Sequence, residues 1–500
     1  LSVVLSLLLV SVWAQPKGDY QWVIGGGAFV PNVHGTILDF NGDSLILQPL
    51  LKRNYFDALN TSICNAEGKL MLYSNGCDMY NGRHQKVINN TVIPQGYVRS
   101  FCPLGAPQLQ GGLLLPQPGN DSVFYYFHIE LDEVYPDTTD LFPLAPLHLY
   151  YMVIHYPRGA YARIVQKRQV AIADTLGRCG IQAVRHANGR DWWVLMPKSH
   201  SNCYYRVLVT PQGVENRGLT CAGTVWGEAD GQGQCSFSQQ GDLYMRHGPY
   251  DGVHIFPFDR CTGTLSSPVV LHIADSTYTT GGVCTAPSGR FLYATIGRAL
   301  WQFDLHAPDI FASGVLLAQT DGWVDDANFP DSFWLLQLAP DGKIYVGGVG
   351  NFKYLHVIHQ PDSVGLACRA EKHSVKLLSY CFVGMPTFPN FRLGAFKGSA
   401  CDTLLVSSAS TEPLSTYGAA FTISPNPVQA VLHVRSAEGV VQEGGRWQIR
   451  DVQGRVWSTG SLTTSPLQLS VENLPAGMYF WYATDVQGRQ TAAIRWVKSK

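Results

Sequence analysis

The 500-residue sequence predicts an all-β protein, a β-propeller of seven blades followed by a small β-sandwich. Three observations predict it. Glycine (50), proline (29) and aromatic residues (12%) are abundant while charged residues make up only 15%, the composition of many short strands and tight turns. A polar–Gly hairpin signature recurs through the first 400 or so residues. Near residue 406 the chain changes character, and alternating strands of a different kind follow.

The charge excludes some roles at once. Lys+Arg is 36 and Asp+Glu is 37, a net charge of −1. Wrapping nucleic acid needs a positive field, so no nucleic-acid partner is expected. No acidic or basic disordered tail is present, and no strict glycine period allows collagen.

The first element is a targeting segment. Leu1 to Val12 is an apolar run, and Val12 and Ala14 stand at the −3 and −1 positions of a signal-peptidase site. Residues 1–14 are expected to be a signal peptide, N-terminally incomplete because the charged n-region and a start Met are missing. The rival is a buried first strand. No second apolar stretch is long enough to span a bilayer as a helix, so no transmembrane segment is expected in the mature chain.

Twelve cysteines fit an oxidising compartment. No C-x-x-C pair is present, which removes thioredoxin-type chemistry and zinc knuckles. Cys64–Cys77, Cys203–Cys221 and Cys381–Cys401 are plausible pairs, each closing a hairpin-sized loop. Sequence does not fix the connectivity, and buried free thiols are the rival. No cysteine follows Cys401.

The body, 15–405, is built on the repeat. Its glycines are Gly68, Gly119, Gly189, Gly241, Gly289 and Gly342, at intervals of 51, 70, 52, 48 and 53 residues. Asx- or Ser-Gly supplies the positive φ of a tight turn, and apolar-aromatic runs such as Ile344-Tyr345-Val346 follow it. Four strands in such a unit make one propeller blade. Asp39 to Leu47, around Gly42, reads as a seventh copy. Six or eight blades stay open, because first and last blades often share strands. The long interval after Gly119 holds a surface excursion near Asp132 to Pro146. A pair of sandwiches is the alternative; a β-helix would need a shorter period.

Residues 406–419, rich in Ser, Thr and Pro, read as a linker. From 420 to 500 short strands alternate, with near-identical turns at Asp451–Arg455 and Asp485–Arg489. This segment carries eight basic and five acidic residues, so it is +3 against −4 for the rest.

The motifs of this tail are Ile423-Ser424-Pro425-Asn426-Pro427-Val428, Asp451-Val452-Gln453-Gly454-Arg455-Val456, Leu474-Pro475-Ala476-Gly477-Met478-Tyr479-Phe480, and the basic end Lys498 and Lys500. In this order and spacing they resemble the C-terminal sorting domain of the type IX secretion system of Bacteroidota. The resemblance implies an Ig-like sandwich, the type IX secretion machinery as partner, export across the outer membrane, and often tail cleavage with attachment to a surface lipopolysaccharide. Asn426 between two prolines is expected to fix an extended lead into the first strand, and Gly477 a tight turn. The body, through Leu336 to Val346 and Met385 to Phe391, resembles propeller proteins that often precede such tails. That likeness transfers no activity.

Catalytic signatures are missing: no G-x-S-x-G, no H-E-x-x-H, no Walker A and no strand-linked G-x-G-x-x-G. No catalytic residue, cofactor or metal site is predicted. Asp39-x-Asn41-x-Asp43 has the alternate spacing of a calcium loop but lacks the later ligands; it reads as a turn, with structural calcium a weak alternative. His356 and His359 are expected on different faces of one strand. Glu228, Asp230, Asp325 and Asp326 read as solvated loop acids. The pairs Trp192-Trp193, Tyr204-Tyr205, Tyr125-Tyr126 and Tyr150-Tyr151 fill gaps between blades or, as the sharper reading, expose a ring to a sugar or peptide.

Bacteroidota attach O-glycans at Asp-Ser/Thr followed by an aliphatic residue or Thr. Ser44, Ser122, Thr138, Thr175, Ser276, Ser363 and Thr403 meet that pattern. The leading functional expectation is a secreted or surface propeller that binds a glycan, peptide or protein. The alternatives are an extracellular hydrolase of polysaccharide or peptide, and a structural component of a surface or secretion assembly.

Overall fold

Six glycines of the repeat, Gly68, Gly119, Gly189, Gly241, Gly289 and Gly342, take φ between 71° and 80°, the left-handed region open to glycine at little cost. Each closes the hairpin between the first two strands of an antiparallel sheet. The computed structural model describes residues 16–26, 34–50, 55–91, 93–102, 104–133, 144–226, 233–248, 251–272, 280–296, 298–402, 421–436, 445–451, 455–462, 466–484 and 490–499. The segment 1–14, the linker 406–419, the tip of the excursion, Glu228, Asp230, Thr138, Ser276, Thr403, Gly454 and Lys500 lie outside them.

The fold is almost entirely β. Among the described residues, seven sheets of three or more strands follow one another along the body, besides a two-stranded ladder of Asp132–Glu133 with Leu144–Ala145. They run Gln21–Ile24, Thr36–Asp39 and Ile46–Pro49; then Thr61–Cys64, Leu70–Ser74 and Met79–Asn81. The third has Gly112–Gln117, Asn120–Ile129, His148–His155 and Arg163–Ala173; the fourth Gln182–Arg185, Trp192–Pro197, Cys203–Thr210 and Gly213–Cys221. The fifth has Cys235–Phe237, Leu243–Gly248, Gly252–Asp259 and Thr264–Leu265, with Val269–Leu271 beside its third strand. The sixth has Gly281–Thr285, Phe291–Ile296, Ala299–Asp304 and Val315–Gln319; the seventh Leu336–Leu338, Ile344–Val346, Asn351–Ile358 and Ala370–Phe382. Gly42 lies between the second and third strands of the first sheet, so the Asp39–Leu47 copy belongs to a different turn from the other six.

Neighbouring sheets touch through their first strands: first with second, second with third, fourth with fifth, fifth with sixth, and sixth with seventh. Ile181 N–H donates to Gln110 O across 3.1 Å between third and fourth. The first sheet also meets the seventh, where Trp22 and Phe40 lie 5.7 and 5.6 Å from the Tyr345 ring. Asn60 Nδ2 donates to Val23 O and Gly384 O, 2.8 Å each. Because both faces of a sheet meet a neighbour, the paired aromatics are mostly interior: Trp192, Trp193, Tyr125, Tyr126 and Tyr204 are buried, while Tyr150, Tyr151 and Tyr205 are half-buried.

The chain divides into two compact units, Leu1–Leu404 and Leu405–Lys500. The second has a three-stranded sheet (Phe421–Ser424, Val431–Ser436, Leu467–Ser470) and a four-stranded one (Val456–Ser461, Arg446–Asp451, Gly477–Thr484, Gln490–Lys498). One apolar core joins them, with Phe421 5.2 Å from Trp481.

Three disulfides form: Cys77–Cys102, Cys203–Cys221 and Cys261–Cys401. Cys203 and Cys221 face each other across two strands. The pairings Cys64–Cys77 and Cys381–Cys401 are corrected. The register sets Cys64 opposite Leu70 and Thr61 opposite Ser74, so Cys64 and Cys77 lie at opposite ends of one hairpin. Cys381 is buried opposite Phe352, and Cys401 instead meets the turn after Gly252–Asp259. Cys64, Cys179, Cys235, Cys284, Cys368 and Cys381 are buried thiols.

Candidate functional site

The tail motifs are stitched together by backbone. Asn426 Oδ1 accepts the Val497 N–H at 2.9 Å, and Val428 bridges Lys498 through bonds of 2.9 Å on either side. Asn426 therefore ties the turn after the first tail strand to the last strand; it does not lead into the first strand, which ends at Ser424. Pro425 and Pro427 follow cis peptide bonds. Asp451 accepts Arg455 N–H (2.9 Å) and Trp457 Nε1–H (2.8 Å). Tyr479 is buried, stacks on Trp496 at 5.1 Å, and donates to Pro475 O at 2.9 Å, which fixes the Leu474-Pro475-Ala476-Gly477 lead. Gly477 opens its strand without a positive φ, so the expected glycine turn is corrected: a Cβ there would meet Tyr479 at an ordinary 3.8 Å. Lys498 is buried, with Nζ 3.0 Å from Ser499 O.

In the body one cleft is lined by Gln182 and Gln337 from first strands, by Gln110 and Gln234 just before first strands, and by Asn390 from the segment after the seventh sheet. Glutamines here splice neighbouring strands. Gln110 exchanges two bonds with Cys235, and Gln234 Oε1 accepts from Val283 N–H and Leu336 N–H. Asp19 and Arg392, also on this lining, pair with each other.

A second cleft lies at the seventh sheet and the loop before it, lined by Trp323, Phe329, Tyr354, Asn351 and the group Asp331, His356 and His373. One ligand-type atom from each of the three lies within 4.8 Å of the others. Asp331 Oδ1 is 3.3 Å from His356 Nε2 and 3.2 Å from His373 Nε2, with the carboxylate 1% exposed. Lys372 Nζ is 3.4 Å from Asp331 Oδ2 and 2.6 Å from Asp321 Oδ2; these carboxylates hold the ammonium pKa above its ordinary value against the effect of its burial. Burial pushes His356 down to about 4, so it is neutral at pH 7. The His373 ring stacks on Trp323 at 3.8 Å.

Of the acids and histidines weighed from sequence, His359 pairs with Glu371 (2.8 Å) and stays apart from His356. Asp325 is buried, its Oδ1 capping the Ala327 and Phe329 N–H groups, whereas Asp326 is exposed. Asp331 and His373 gave no motif: they lie 25 and 17 residues from His356, on a loop and a neighbouring strand. Asp39's oxygens take amide donors from Gln21, Asn41 and Gln48, which makes it a turn residue. Ser44 is exposed; Ser122, Thr175 and Ser363 are half-buried.

Among the described residues no helix is long and apolar enough to cross a membrane. No curated protein matches the chain. Among solved structures it is similar to a functionally unknown protein from Desulfotomaculum acetoxidans DSM 771, at 10% identity and TM-score 0.37 over 73% of this chain and 99% of that one. A quinonprotein alcohol dehydrogenase-like protein from Bacteroides thetaiotaomicron is 12% identical, TM-score 0.36, over 73% and 75%. A putative 6-phosphogluconolactonase from Bacteroides uniformis is 10% identical, TM-score 0.35, over 96% and 100%. Likenesses of this size carry no argument. Residues 422–495 match the model of the secretion system C-terminal sorting domain. The chain thus carries a type IX sorting domain, which engages that secretion machinery and addresses the protein to the cell surface or the exterior.

Proposed function

We propose that the body is a seven-bladed β-propeller, exported by an Ig-like sorting domain, that binds an extracellular glycan at the cleft of its seventh sheet. Seven successive antiparallel sheets with serial contacts, and contacts between first and seventh, support the propeller reading. In this reading 1–14 is removed as a signal peptide, 406–419 links the domains, and the tail is exchanged for surface lipopolysaccharide. Ser44 is the most accessible described O-glycan acceptor.

The observation that carries the glycan reading is the lining of this cleft. Trp323 and Tyr354 meet edge to face at 5.4 Å, and Lys376 lies 5.3 Å over the Tyr354 ring. Aromatic faces beside a few polar groups suit sugar rings and their hydroxyls. A hydrolase would need two carboxylates placed across a bound sugar; of the two that line this cleft among the described residues, Asp325 caps the Ala327 and Phe329 N–H groups and Asp331 is turned to Lys372 and the two histidines. The test is a glycan and peptide array probed with the full chain and with Trp323→Ala and Tyr354→Ala. Glycan signals lost in both variants support the reading; peptide-only signals, or turnover of a polysaccharide, overturn it.

A further inference from the structure

We propose that Asp331 Oδ1, His356 Nε2 and His373 Nε2 bind a divalent first-row transition ion at the floor of the seventh-sheet cleft. The site is built by an irregularity in the sheet. Leu355 pairs with Val375 and Val357 with Glu371, so His356 alone faces the three residues Lys372, His373 and Ser374. Such a bulge re-aims side chains. His373 takes φ 55° within it, a conformation uncommon for a side-chain-bearing residue. The bulge brings His373 beside His356, with ring centroids 5.1 Å apart. Asp331 comes from the preceding loop, held by its own N–H to Trp323 O at 2.9 Å.

The polar atoms at this point lack partners. Asp331 Oδ1 and His373 Nε2 are buried and make no hydrogen bond, although they are 3.2 Å apart. Asn351 Oδ1, on the same cleft, is a third such atom. A buried polar atom without a partner is costly. An ion between them removes that penalty. Ligands about 2.0–2.2 Å from an ion in tetrahedral array sit roughly 3.4 Å apart, which the 3.2 and 3.3 Å separations match.

Charge agrees. Asp321, Asp331 and Lys372 sum to −1 around the point, and Lys372 sits on Oδ2 rather than Oδ1. Two imidazoles and one carboxylate suit zinc, cobalt or nickel and disfavour calcium and magnesium, which take oxygen ligands. Two hydrogen bonds of His356 are given up. His356 Nδ1 accepts the His373 N–H at 3.2 Å, and its Nε2 faces Ser332 O at 3.2 Å. On binding, the ion takes the Nε2 lone pair and the proton moves to Nδ1, so the imidazole stays neutral.

The test uses the chelator-treated full chain. Co²⁺ is titrated in, followed by visible absorption and calorimetry, then displaced by Zn²⁺. Expected are one equivalent of Co²⁺ with the strong d–d bands of a low-coordinate site, and bleaching by Zn²⁺. His373→Gln, on a half-buried ring, is expected to weaken binding by about 100-fold or more, at or beyond the upper end of what a supporting group costs. His359→Gln is expected to leave it unchanged. Absence of saturable binding, or binding equally tight in His373→Gln with unchanged spectra, overturns the proposal. Glycan binding is read separately on the array, so the two proposals fail independently.

Discussion

The carboxylate of Asp19 receives both terminal nitrogens of Arg392, at 2.5 and 2.9 Å, across 373 residues of chain. The Asp19 side chain is 3% exposed and that of Arg392 20%. Asp19 O also accepts Trp22 Nε1–H at 2.9 Å, so the pair is anchored to the first sheet. A bidentate pair of this kind fixes geometry as well as charge. It holds the beginning of the body to the segment that follows the seventh sheet.

Asp19→Asn is therefore expected to be strongly destabilising. It removes the negative charge and one of the two acceptors from a half-buried guanidinium, a change that costs about 2 kcal/mol. Urea unfolding of the body, followed by tryptophan fluorescence, checks it. A midpoint within error of the parent would show that the pair is dispensable.

The hairpin glycines separate into two classes. Gly342 has φ 76° and open space around it, so Gly342→Ala is expected to cost about 1 kcal/mol through backbone strain alone. At Gly189 a Cβ would also come 2.5 Å from Ala395 N, so Gly189→Ala is expected to be markedly worse. Gly477→Ala is expected to be tolerated. Equal stability losses at Gly342 and Gly189, measured by thermal unfolding, would contradict the distinction.

This periodicity is why so much of the fold was legible. Turns closed by a glycine of positive φ are local chemistry, and six of them mark the first hairpin of a sheet. Gly42 was misplaced by one turn because a hairpin signature does not say which pair of strands it joins. Of the three disulfide pairs expected from sequence one forms, for a similar reason. Cys203 and Cys221 are neighbours in one hairpin, but Cys261 and Cys401 are 140 residues apart and meet only through tertiary packing. Asp331 and His373 were invisible because a bulge and a loop, neither of which has a sequence period, bring them to His356.

The thiol count is a direct check on the fold. Three disulfides and six buried thiols are expected in the body. Burial raises the Cys284 thiol to about 12, and Cys64 and Cys381 are pushed up likewise, so these groups are poor nucleophiles while the body stays folded. Alkylation under native conditions should label few sites, and alkylation in denaturant without reductant should label six. Complete protection in denaturant would mean that further disulfides form.

Stability is expected to fall in mild acid. Burial lowers His247 to about 4, and burial with the nearby Arg168 lowers His128 to about 3, against an ordinary value near 6.5. Between those values the unfolded chain binds protons that the folded chain does not. The stability contribution is full above about pH 6.5 and is lost as pH falls towards 4. Urea midpoints measured from about pH 7.5 to 4.5 should decline from near 6.5 downward. A flat profile above the carboxylate range would show that these imidazoles reach water.

The sorting domain gives the last prediction. Its termini are joined by Asn426 Oδ1 to Val497 N–H and by the backbone bonds of Val428 to Val497 and Ser499. The Pro425-Asn426-Pro427 turn and the final strand therefore form one unit, and disturbing either should disturb both. Asn426→Ala removes the acceptor for Val497 N–H on a partly exposed edge, a loss of about 1 kcal/mol. It is expected to reduce surface delivery without affecting the body. Deleting 421–500 is expected to leave the body folded and held in the periplasm, and fusing 406–500 to a periplasmic reporter should carry that reporter outward in a host with the type IX system. Surface protease accessibility and cell fractionation read both outcomes. Normal delivery of the deletion variant would show that the address lies elsewhere in the chain. Normal delivery of Asn426→Ala, with the reporter fusion still exported, would show that the machinery reads a surface that survives loosening of this edge.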